Sequence, residues 1–138
     1  MTRNNYLSLF ACLSIATSLL STQSYADQQC QLADNSIDAS KSYIQCLDLV
    51  LDKLYRQQKI WQNKITMDLE RIEQDTGNTQ LLPIFQRSIT NHMRYLEDSC
   101  RWRYLQKMPN STAAAITYKQ CEINILQQHI AVLNKPIK

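Results

Sequence analysis

The sequence predicts an all-α fold, a disulfide-stapled antiparallel bundle of about three helices with a long first helix. Three observations predict it. Apolar residues recur at three- and four-residue spacing, with no strand-like alternation. The only glycine, Gly77, and the segment Met108-Pro109-Asn110-Ser111 divide this periodicity into three stretches. Four cysteines, Cys30, Cys46, Cys100 and Cys121, follow an export-type leader, an even number suited to two bridges in an oxidising compartment. A chain of 138 residues holds one small domain.

Residues 1–26 read as a secretory signal peptide: Arg3 precedes an apolar run from Tyr6 to Leu20, and Ser24-Tyr25-Ala26 offers a small-residue exit. A lipoprotein anchor at Cys12 is the competing reading of Leu9-Phe10-Ala11-Cys12. It is disfavoured because only about five apolar residues precede Cys12, fewer than the ~7 to 15 of an apolar core. The expected mature domain is therefore 27–138, periplasmic or secreted. No other run approaches the ~18 apolar residues of a membrane span, so no transmembrane segment is expected.

Residues 27–37 lack either period and read as an irregular arm. The first helical stretch, Asp38 to Gln74, carries Ile44, Leu47, Leu51, Leu54, Trp61, Ile65, Leu69 and Ile72 on one stripe, interrupted at Gln58. Asp38 or Ser40 is its expected cap. Unbroken, it would span ~55 Å, which implies an elongated bundle or a kink. The second stretch places Leu82, Phe85, Ile89, His92, Met93, Leu96 and Cys100 on one face. The third places Ala114, Cys121, Ile125 and Val132 on one face, with Ser111 or Asn110 as cap.

Folding the chain back at its two turns chooses among the three possible cysteine pairings. Cys100 and Cys121 lie ten to eleven residues on either side of Asn110-Ser111 and should meet across the second hairpin. Cys46 lies 31 residues before Gly77 and Cys100 23 after it, a mismatch of roughly 12 Å that disfavours their pairing. Cys30–Cys46 follows by elimination.

The search for catalytic chemistry finds no glycine-rich phosphate loop, no Gly-x-Ser-x-Gly and no His-Glu-x-x-His. The expectation is a protein that is not an enzyme and uses no cofactor or metal. His92 and His129 have no evident partner in the sequence and read as structural histidines. Glu97 and Asp98 beside Arg94 and Arg101 read as a salt-bridged helix face. The formal charge, +3 and reduced to +2 when Arg3 leaves with the leader, is too weak to indicate nucleic acid binding.

Two charged surfaces are candidates for a partner, each against the plainer reading of a solvated helix face. Asp68, Glu70, Glu73 and Asp75 against Arg71 give a local −3 near the first turn, suited to a cationic protein. Arg87, Arg94, Arg101, Arg103 and Lys107 against Glu97 and Asp98 give a local +3 around Trp102 and Tyr104, suited to an anionic surface. Acidic charge at a helix C-terminus opposes the macrodipole by roughly 0.3 to 1 kcal/mol, which favours a functional reading of the acidic cluster.

Asp48-Leu49-Val50-Leu51-Asp52-Lys53-Leu54-Tyr55, with Cys46 just before it, looks like a D-x-x-L-N-x-x-Y signature with Asp52 in place of the asparagine. His92-x-x-Tyr95 leading to Cys100 is similar to W-x-x-Y followed by cysteine, and Cys121 with Leu133 to a closing cysteine-to-leucine segment. On these passages the chain resembles the LprI lysozyme-inhibitor family from about Cys30 to Leu133. It departs from it at His92, at His129 where an arginine is expected, and in lacking a glycine before the last cysteine. The resemblance implies a lysozyme-like protein as partner, occluded by an acidic edge. Asp48, Leu51 and Tyr55 fall on adjacent helical turns and, with Asp52 and Tyr95 of the same motifs, are expected to pack the helices together. An envelope adaptor docking through Arg94, Arg101, Trp102 and Arg103 is the alternative.

Overall fold

The structure is a computed structural model that describes residues 30–34 and 36–135. The expected signal peptide, Cys12 and the start of the arm lie outside the described residues. Three helices follow in order: α1 (Ile37–Thr76), α2 (Leu81–Gln106) and α3 (Ser111–Leu133). The chain is all-α, and both bridges pair as the hairpin register predicts, Cys30 with Cys46 and Cys100 with Cys121.

Helix α1 is continuous over 40 residues, about 60 Å. Its cap is neither Asp38 nor Ser40. Ser36 accepts the Ala39 N–H at 3.1 Å, while its own N–H donates to Asp34 Oδ1 at 2.7 Å. Asp38 lies in the first turn, where its charge favours the helix dipole. At the other end Gly77 adopts φ 72°, the left-handed conformation that glycine enters without a Cβ penalty, and its N–H closes onto the Glu73 carbonyl at 2.7 Å. Asn110 caps α3 by accepting the Ala113 N–H at 3.0 Å, as one of the two expected residues.

Helix α3 packs against both α1 and α2, which touch each other far less. This central place explains why its expected apolar stripe is only partly correct. Ala114 is buried and Cys121 and Ile125 are half-buried, but Val132 is exposed, and Ile123, Leu126 and Leu133 complete the buried set. A helix enclosed on two sides needs apolar residues around more of its circumference, so a single stripe does not describe it.

Helices α1 and α3 run parallel, with contacts advancing together: Gln120 Nε2 donates to Tyr43 Oη at 2.9 Å, Tyr55 Oη donates to Glu122 at 2.9 Å, and Gln58 meets His129. Near its end α3 places Leu133 beside Trp61 and Ile65, around a cavity of about 210 Å³. Helix α1 then continues past the end of α3 to Thr76. The last eleven residues of α1 and the first turns of α2 form a two-helix finger reaching about 16 Å past α3.

Candidate functional site

The acidic cluster lies on this finger. Its members are not equivalent. Asp68 is engaged within its own helix by Lys64 at 2.7 Å and Arg71 at 3.4 Å, and the Lys64 ammonium hydrogen-bonded to it lowers its carboxyl pKa. Glu70, Glu73 and Asp75 enter no ion pair among the described residues; Glu70 and Asp75 are exposed and Glu73 partly so. At about 100° per residue they wrap around the end of α1 rather than forming a flat patch. No basic residue occupies the last turn of α1 to offset them. The arrangement offers three carboxylates on a narrow projection, a shape that can enter a cleft with a positively charged rim.

The basic surface divides. The Arg103 guanidinium stacks over the Trp102 ring at 4.3 Å from its centroid and donates to the Ser99 carbonyl. Arg94 and Arg101, two turns apart, share one side of α2, whereas Arg103 lies half a turn away from Arg94. Arg101 approaches Glu97 at 3.9 Å and, with Tyr104, Tyr118 and Lys119, lines a cavity of about 390 Å³ between α2 and α3.

The motif residues act chiefly between helices. Asp48 forms an ion pair with Lys119 of α3, Leu51 is in the core, and Tyr55 reaches Glu122. Burial raises the pKa of the Glu122 carboxyl, opposed by the Tyr55 hydrogen bond, and burial also raises that of the Tyr55 hydroxyl. Three successive turns of α1 are thus fastened to α3. Asp52 and Tyr95, expected among the packing residues, are instead exposed, with the Tyr95 ring 6.4 Å from that of His92.

Sequence reasoning missed one cluster. His92 and His129, which looked unpartnered, stack with ring centroids 3.5 Å apart, and Gln58 Nε2 lies 2.8 Å from His129 Nδ1. Gln58 is 4% exposed, so the polar break in the α1 stripe is filled by a hydrogen-bonded group rather than by solvent. Burial lowers the pKa of both imidazoles, and the neighbouring His92 adds to the effect on His129, which falls to about 4. The signal was available: the two histidines lie 18 and 19 residues on either side of Asn110, the same symmetry that pairs Cys100 with Cys121.

Among the described residues no three His, Cys, Asp or Glu side chains gather as a metal site, and no helix is long and apolar enough to cross a membrane. Compared with protein-family models, curated proteins and solved structures, the chain matches none. The resemblance carried by residues 46–55, 92–100 and 121–133 therefore stands on those residues alone.

Proposed function

We propose that the chain is an exported binding protein that inhibits a lysozyme-like muramidase by steric occlusion, with Glu70, Glu73 and Asp75 meeting the cationic rim of the enzyme's cleft. The observation that supports this reading is the two-helix finger, which carries three carboxylates without ion pairs beyond the end of α3. The formal charge of +3 provides no long-range steering towards a basic enzyme, so recognition rests on local charge and shape at the tip. The test is an activity assay of a basic animal-type lysozyme and a bacterial muramidase with the purified, oxidised chain. Stoichiometric inhibition of either is expected, and it should be lost on reduction; no inhibition of both enzymes contradicts the reading.

The second reading is an envelope adaptor that docks an anionic surface. It is favoured by the Trp102–Arg103 stack and by the Arg101 and Lys119 cations around one cavity. Retention on anionic envelope material that disappears with Arg101→Glu and Arg103→Glu together supports it, and retention indifferent to those changes removes it.

A further inference from the structure

The cavity between α2 and α3 gathers polar groups that the packing of the helices leaves unused. It measures about 390 Å³ and is lined by Glu97, Arg101 and Tyr104 of α2 and by Ala115, Tyr118 and Lys119 of α3, on either side of the Cys100–Cys121 bridge that fixes the two helices together. The two tyrosine rings stand perpendicular with centroids 6.3 Å apart, and neither hydroxyl makes a hydrogen bond among the described residues. Burial raises the pKa of the Tyr118 hydroxyl, so it keeps its proton and can donate. Arg101 approaches Glu97 at 3.9 Å, beyond hydrogen-bond reach, so Glu97 does not occupy the guanidinium donors. Lys119 is anchored by Asp48 of α1, which takes one of its three ammonium donors and leaves two.

The lining selects a ligand. Two cations suit a carboxylate, flat aromatic rings suit the C–H face of a sugar ring, and Glu97 with the two phenolic hydroxyls suits its hydroxyl groups. A phospholipid needs an apolar path for its chains, and Ala115 is the one aliphatic side chain among the described residues that line the cavity. The site also has a direction. Arg101, Arg94 and Arg87 follow at seven-residue intervals, about 10 Å apart along α2 and about 20° apart around it, so three exposed guanidiniums run in one line away from the cavity. Arg87 and Arg94 enter no ion pair among the described residues.

We propose that the cavity seats one carboxylated sugar residue of an acidic polysaccharide, its acid group on Arg101 and Lys119 and its ring against Tyr104 and Tyr118, while Arg94 and Arg87 take acid groups further along the same chain. This rests on the second reading above, docking at an anionic envelope surface, and gives that surface a chemical identity. Asp98, between the Arg94 and Arg101 positions, limits the local positive charge, so affinity comes from several contacts along the polymer rather than from one.

Titration of the full oxidised chain with tetragalacturonate, followed by NMR, tests the site. Binding is expected to shift the ring resonances of Tyr104 and Tyr118, and the methyl ester of the same tetrasaccharide should bind at least tenfold more weakly. Arg101→Gln, at an exposed side chain, should weaken binding of the acid at least tenfold, and Arg87→Gln with Arg94→Gln at least threefold. Equal binding of acid and ester overturns the proposal, as does binding without a shift of either tyrosine ring. So does binding unchanged by Arg101→Gln or by the Arg87 and Arg94 pair. Retention on phosphatidylglycerol vesicles with no binding of the uronate overturns it too, while leaving the reading of an anionic docking surface in place.

Discussion

The two ends of the molecule are built to different rules. At the three-helix end lie both disulfides, most of the buried side chains and every hydrogen bond or ion pair recorded between side chains of different helices. In the finger, Leu69 is the sole buried residue of α1, and none of the first ten residues of α2 is buried. A chain that concentrates its cross-links and core at one end leaves the other free to carry charge chosen for something other than stability. The acidic last turns of α1 illustrate this, since they oppose the helix dipole and no basic residue relieves them.

The contrast can be broken most decisively in the core. Leu126→Ala, at a side chain with no exposure, should cost about 2 to 5 kcal/mol, whereas Ile84→Ala on the finger should stay within about 0.5 kcal/mol. Denaturant midpoints of the two variants measure the difference, and comparable losses would mean that the finger shares the core. Next in size, replacing Cys100 and Cys121 by alanine should cost roughly 3 kcal/mol, because the bridge closes a 21-residue separation in the unfolded chain. Thermal unfolding under oxidising conditions reads this directly.

A pH effect sharpens the same comparison. His92 and His129 have folded-state pKa values below the ordinary 6.5, so the unfolded chain binds more protons in the acidic range. The stability they contribute is complete above pH 6.5 and declines as pH falls towards about 4, where His129 titrates in the folded protein. Urea midpoints at pH 7 and pH 5 should show this loss, and His129→Phe should flatten it. The smallest effect belongs to the finger. Replacing Glu73 and Asp75 by lysine should leave the fold intact or stabilise it by about 0.3 to 1 kcal/mol, by relieving the unfavourable dipole interaction.

Much of the three-helix end is legible in the sequence because its signals are local. Periodicity and two breakers define the helices, and counting residues from a turn places Cys100 opposite Cys121. The same count places His92 opposite His129, but a histidine has no single obligatory partner as a half-cystine does, so the symmetry passed unread. The stripe of α3 was harder for a different reason: a helix packed on two sides spreads its apolar residues, and Val132 is as compatible with the pattern as Leu133. The Ser36 cap is hard to read from sequence because three capable residues, Ser36, Asp38 and Ser40, follow one another within five positions, and the choice among them lies in the backbone hydrogen bonds that Ser36 and Asp34 make. For the finger, the sequence shows the carboxylates, while the early end of α3, which leaves them projecting, depends on how the helices align.

The proposed inhibition requires this projecting end to contact a muramidase. Titration of a basic animal-type lysozyme with the unaltered chain and with the Glu70→Lys, Glu73→Lys, Asp75→Lys variant, both shown to be helical, tests it most directly. Stoichiometric inhibition by the unaltered chain, weakened at least tenfold in the variant, about 1.4 kcal/mol, is the predicted result. Equal inhibition by the two proteins, or none by the unaltered chain, contradicts it.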